Sequence, residues 1–183
     1  YVTLSTMPVA ISTALATAVI PSIAGSVVRK EHELVQAKVD TTLRLTMIIS
    51  IPAAIGLGAL GPQILQMLFP NYSDGGMLIR VGSISVVFLA LSQISTGVLQ
   101  GVGKVNAPAW NALWGSIAKI PVNYFLIAIP EINIIGAVIS TTVCYIIASL
   151  LNFRALIKAT GVRPDFVGML VKPSIASIIM GVF

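Results

Sequence analysis

Six stretches of this sequence are apolar over most or all of the length of a bilayer-crossing helix, and charge is scarce between and within them. A helix needs about 20 mostly apolar residues to cross a hydrocarbon core about 30 Å thick. Inside that core every backbone N–H and C=O must find a partner within the protein, so only helices and closed barrels can span it. The stretches are too long and too evenly apolar to alternate as a barrel wall does. The expected fold class is therefore all-α, a polytopic transmembrane helix bundle. Composition agrees: 56% of residues are hydrophobic and 9% charged, against about 25% charged in a typical soluble domain.

The spans are expected at about Val2–Val28, Leu45–Leu60, Met77–Gly101, Ala107–Ile129 and Ile134–Leu156, with a sixth starting near Pro173 and cut short. The whole chain, 1–183, reads as one transmembrane region and as an internal piece of a longer protein. Gly61-Pro62 is expected to end the second span, leaving Gln63–Phe69 as a short interfacial stretch. Asn71–Gly76, Gly103-Lys104, Pro130–Asn133 and Gly161–Pro164 supply the other turns. The amphipathic segment Glu33–Arg44 leads into the second span. Its Leu34, Val35, Val39 and Leu43 can face lipid or protein, while Gln36, Lys38 and Asp40 can meet water.

Basic residues set the orientation. Arg29, Lys30, Lys38 and Arg44 flank the first connection, Lys104 lies in the third, and Arg154, Lys158, Arg163 and Lys172 flank the fifth. The second and fourth connections carry no Lys or Arg. Cytoplasmic loops are the basic ones, so the odd connections belong in the cytoplasm and Tyr1 near the outer face.

Two basic residues of the eleven fall elsewhere. Arg80 is about one turn inside the outer end of the third span. It either snorkels to the headgroups or contacts a ligand at the mouth of a cavity. Lys119 lies eleven residues after Pro108, about 16 Å along a helix, near mid-depth. Asn111, Gly115, Lys119 and Asn123 recur every four residues with Ser116 beside them, giving one polar side to an apolar helix. A charge at that depth costs a few kcal/mol. The six acidic residues all lie in loops or near span ends, so two explanations stand: a water-filled cavity that receives an anion, or a carboxylate on another part of the protein. Lys119, Asn111, Ser116, Asn123 and Arg80 are thus the candidate substrate-binding residues. Similar stripes occur at Gln93, Thr96 and Gln100, and at Thr141, Tyr145, Ser149 and Asn152; they serve either interhelical hydrogen bonding or a ligand pathway.

The chain shows no carboxylate pair, Ser/His/Asp set, metal-ligand cluster or phosphate-cradling glycine loop. Cys144 and His32 each stand alone. No enzyme, cofactor, metal or nucleic-acid partner is expected.

Several segments resemble the multidrug/oligosaccharidyl-lipid/polysaccharide exporter superfamily. They are Ala18–Ala24 followed by a short basic loop, Leu43-Arg44-Leu45, Ile51–Leu57, Gln63–Phe69 and Leu99–Pro108. The order and spacing of these segments, over nearly the whole chain, are most similar to the polysaccharide-biosynthesis and stage V sporulation protein B branch and to the MurJ-type lipid II flippases. The resemblance implies twelve to fourteen helices in two lobes around a central cavity, of which this chain would form most of the second. It also implies a bacterial plasma membrane location, with membrane lipid, the absent first lobe and a lipid-linked sugar as partners. The implied function is flipping of an undecaprenyl-linked anionic sugar precursor by alternating access. A cation-coupled multidrug exporter and a non-transporting scaffold for envelope or spore-coat synthesis are the alternatives. The cavity arginines of lipid II flippases lie at positions this chain lacks, so none is carried over.

Overall fold

The computed structural model describes residues 2–68, 75–128, 133–161, 171, 173–175 and 177. They form an all-α bundle in the order α1 (Val2–Val28), α2 (His32–Leu68), α3 (Gly76–Gly101), α4 (Asn106–Ile127) and α5 (Asn133–Thr160). Four of these, α1, α2, α3 and α5, are long and apolar enough to cross a membrane. α4 is less apolar because Asn111, Ser116, Lys119 and Asn123 lie within its 22 residues. The expected sixth span and the connections at 71–74, 130–132 and 162–164 lie outside the described residues, apart from helical turns at 173–175.

The helices run alternately up and down. α1 turns into α2 through Arg29-Lys30-Glu31, with Lys30 in the left-handed region at φ 59° and its N–H donating to Val27. α3 turns into α4 through Gly103, at φ 79°. Beside it the Lys104 N–H donates to the Leu99 carbonyl over 2.8 Å, satisfying one of the helix-end acceptors that would otherwise lack a partner. These turns and the C-terminus of α5 gather at one end, where Gln36 of α2 donates to the Thr160 carbonyl over 3.2 Å. Arg29, Lys30, Lys104 and Lys158 sit at this end, which the basic-loop pattern assigns to the cytoplasm.

α3 is the central helix, packed against α1, α2 and α5. Its approach to α1 is close because small residues meet there. A Cβ on Gly97 would come 3.0 Å from the Ala16 Cβ, and one on Gly101 would come 3.2 Å from the Ile20 carbonyl. Membrane helices, lacking a hydrophobic drive toward one another, rely on such close packing. The main core joins Ile23 of α1, Val39, Leu43 and Met47 of α2, Ile94 and Leu99 of α3, and Leu156 of α5, each 1% exposed or less. Val35 and Val39 are buried in this core, so the Glu33–Arg44 segment is held by protein on its apolar side. Leu34 remains about half exposed.

One expectation is corrected. Gly61-Pro62 does not end the second span: α2 continues through both residues to Leu68, so Gln63–Leu68 belongs to the same helix. Pro62 removes one backbone donor, yet tertiary contacts hold the helix. The bare Cα of Gly61 admits the Ile79 side chain of α3. The Pro62 ring lies against Gly76, where an added Cβ would come 3.1 Å from it.

Candidate functional site: the polar seam and free flank of α4

Among the described residues α4 is an edge helix, attached almost entirely through α5. The seam is built on Gly115, which is buried. A Cβ there would stand 2.9 Å from the Cys144 carbonyl and 3.3 Å from the Ala148 Cβ. Two hydrogen bonds hold the seam on either side of that contact. Asn111 donates from Nδ2 to Asn152 Oδ1 over 2.8 Å. Ser140 donates to Asn123 Oδ1 over 2.9 Å.

Asn152 joins three helices. It is 1% exposed, accepts from Asn111, and points Nδ2 toward Ser92 and Thr96 of α3 at 3.4 and 3.3 Å. A buried amide must spend its donors and acceptors on neighbours, and here those neighbours lie on α3 and α4. The stripes of the third, fourth and fifth spans therefore meet at this node. Ser92 and Ser140 are small hydroxyls whose signal in the sequence is only that they lie one turn from Thr96 and one residue from Thr141.

Lys119 stands thirteen residues after Asn106 and eight before Ile127, about 20 Å and 12 Å along the axis at 1.5 Å per residue. It is partly exposed. Among the described residues it has no hydrogen-bond or ion-pair partner. At 3.6 residues per turn, Gly115 marks the direction of α5. Lys119 then falls on one flank of α4 with Ala109, Ala112, Ser116 and Asn123. Trp110, Trp114 and Phe125 fall on the other flank, with Ile117 and Tyr124 behind.

The two flanks suit different surroundings. Trp110, Trp114, Tyr124 and Phe125 are 58–75% exposed; Trp110 lies near one end of the helix and Tyr124 and Phe125 near the other, with Trp114 closer to the middle. Aromatic rings settle in this way at the two membrane interfaces. The Lys119 flank carries small residues with Ser116 exposed and Asn123 partly so, and is bordered toward the outer end by the exposed Ile120 and Ile127. A shallow hollow of about 530 Å³ lies against Ile120, Asn123, Tyr124, Ile127 and Ala128, on the outer side of Lys119.

The five candidate residues are therefore not all in one place. Lys119 and Ser116 share the free flank, and Asn123, partly exposed beside them, gives its Oδ1 to Ser140 at the seam. Asn111 is turned into the seam with α5. Arg80 is exposed near the outer end of α3, a helix that barely touches α4.

A family model described as the lipid II flippase MurJ matches residues 2–182. The chain belongs to that family. Three relatives from Bacillus subtilis (strain 168) are similar over most of the chain. The uncharacterized membrane protein YabM is 30% identical over 142 residues, covering 78% of this chain and 26% of that protein. The lipid II flippase MurJ is 23% identical over 160 residues, 85% of this chain and 29% of that protein. Stage V sporulation protein B is 22% identical over 156 residues, 85% of this chain and 30% of that protein. The chain spans less than a third of the length of each. No solved structure matches it significantly. Family membership and the four membrane-length helices together make it an integral membrane protein.

Proposed function

We propose that this MurJ-family chain is most of one lobe of a flippase for a lipid-linked anionic sugar precursor, working by alternating access. In this proposal Lys119 supplies positive potential to the central cavity. The observation that carries it is the setting of Lys119: a mid-depth ammonium, without a counter-ion among the described residues, on the free flank of an edge helix. Placing a lysine there costs about 2.5–3.5 kcal/mol on the insertion scale, which packing alone does not recover. An anionic headgroup offsets that cost when it arrives.

A pyrophosphate suits lysine, whose compact charge on a flexible stem needs no fixed bidentate geometry. Ser116 and the Nδ2 of Asn123 add hydrogen bonds on the same flank, since Asn123 uses Oδ1 for Ser140. Asn111 holds the seam that presents them, and Arg80 offers a second cationic contact at the outer mouth. The opposing lobe of the transporter closes against this flank of α4, while the aromatic flank faces lipid.

Flipping of lipid-linked precursor by the full-length protein in proteoliposomes tests the proposal. A hydrogen bond to a charged group contributes about 1.5–3 kcal/mol. Lys119→Ala is therefore expected to slow flipping by about ten- to a hundredfold with insertion and thermal stability unchanged, and Lys119→Arg to keep part of the rate. Flipping by Lys119→Ala at the wild-type rate overturns the role of Lys119. Failure of the wild-type protein to flip any lipid-linked anionic sugar overturns the function itself.

A further inference from the structure

A second cationic position lies far from α4. Lys38, on the cytoplasmic part of α2, reaches across to α1 and donates from Nζ to the Ser22 carbonyl over 3.0 Å and to the Ser26 hydroxyl over 2.8 Å. Both acceptors are neutral. Among the described residues no carboxylate forms an ion pair with Lys38: Asp40 pairs with Arg44 at 2.7 Å and Glu31 with Arg29 at 3.9 Å. Among the described residues, the charge of Lys38 is oriented but not neutralised.

The ammonium stands at the head of a crevice of about 320 Å³ between α1 and α2. Ser22, Lys38 and Thr41 line its cytoplasmic end, and Leu15, Val19 and Leu45 its deeper end. Ser22 lies seven residues from Leu15, and Lys38 seven from Leu45, so polarity changes over about 10 Å along both helices. The crevice thus has the polarity of one phospholipid standing in the inner leaflet, headgroup at the surface and chain beneath.

We infer that the α1–α2 crevice holds an anionic glycerophospholipid of the cytoplasmic leaflet, its phosphate on Lys38 and Thr41 and one acyl chain along Val19, Leu15 and Leu45. Charge complementarity selects this occupant. The cytoplasmic leaflet is anionic, and one basic residue near its surface contributes about 1 kcal/mol of attraction. Lysine binds a phosphate as a point charge, and an Nζ with two of three protons committed keeps one for the ligand. The same tie to Ser22 and Ser26 fixes the ammonium in place, so a lipid seated there also bridges the α1–α2 hairpin. This site is independent of the Lys119 flank and of transport.

The test is native mass spectrometry of the full-length protein released from nanodiscs of equal phosphatidylglycerol and phosphatidylcholine. The wild type is expected to retain phosphatidylglycerol preferentially. Lys38→Gln, which keeps a hydrogen-bond donor but not the charge, is expected to lower that preference about five-fold, the equivalent of about 1 kcal/mol. Thr41→Phe obstructs the exposed mouth without altering Lys38 and is expected to give a similar loss. Lys104→Gln, an exposed lysine at the same end of the bundle, is expected to leave the preference unchanged. An unaltered preference in Lys38→Gln overturns the site. So does an equal fall in Lys104→Gln, which signals diffuse surface charge. A fall in Lys38→Gln without one in Thr41→Phe also overturns it, because Lys38 then serves only as a tie between helices.

Discussion

Gly115 is the position at which α4 is most easily dislodged, because among the described residues the helix depends almost wholly on α5. A methyl added there meets the Cys144 carbonyl at 2.9 Å and the Ala148 Cβ at 3.3 Å. Nonbonded carbon contacts are comfortable at about 3.5–4.0 Å, so α4 must withdraw by about 0.5 Å to accommodate alanine. The two flanking hydrogen bonds, at 2.8 and 2.9 Å, then stretch beyond the ranges of about 2.7–3.2 Å for the N–H···O bond of Asn111 and about 2.5–3.0 Å for the O–H···O bond of Ser140. Alanine regains up to about 1 kcal/mol in helix propensity, so Gly115→Ala is expected to be within about 1 kcal/mol of wild type. Gly115→Val regains less and intrudes further. Overpacking costs about 1–3 kcal/mol, and each lost interhelical hydrogen bond about 0.6 kcal/mol, giving a loss of about 2–4 kcal/mol. Equilibrium unfolding of the full-length protein in bicelles measures the difference. Cysteines placed on facing positions of α4 and α5 should cross-link more slowly in the valine variant. If Gly115→Val is as stable as Gly115→Ala and cross-links at the wild-type rate, the seam is not what holds α4.

Asn152→Ala, which deprives Asn111, Ser92 and Thr96 of a common partner, is expected to lower stability by about 1–3 kcal/mol; an unchanged unfolding midpoint refutes the three-helix node. In a protein lacking Cys144, an impermeant thiol reagent added outside cells is expected to label cysteines at positions 74 and 131 but not at 104 or 158, and labelling at 104 refutes the orientation.

Much of the bundle was legible because bilayer physics acts on whole segments. The apolar runs located α1, α3, α4 and α5 to within a few residues, and of these α1, α3 and α5 have the length and hydropathy of a span, whereas the polar residues of α4 leave it below that level. The break assigned to Gly61-Pro62 failed because it rests on a local rule, and two partners on α3, Ile79 and Gly76, override it. The polar side of α4 was visible in its spacing, but spacing cannot say which neighbour a polar face meets. Asn111 and Asn123 proved to address Asn152 and Ser140, while Lys119 and Ser116 were left on the flank. The crevice at Lys38 left no motif at all, because it is made by the crossing of two helices rather than by either one.

The continuity of α2 has a mechanical consequence. A helix of 37 residues is about 55 Å long, against a hydrocarbon core of about 30 Å. It crosses the whole membrane as one helix, packed against α1 and α5 toward its cytoplasmic end and against α3 along most of its length. Tilting a rod of that length by about 10° carries one end about 10 Å relative to the other. Had the chain broken at Gly61-Pro62, the outer end could pivot on its own. Under the proposed alternating access, an opening on one side of the membrane would be carried toward the other along this one helix, with Pro52 and Pro62 as the points where a missing backbone donor lets it bend.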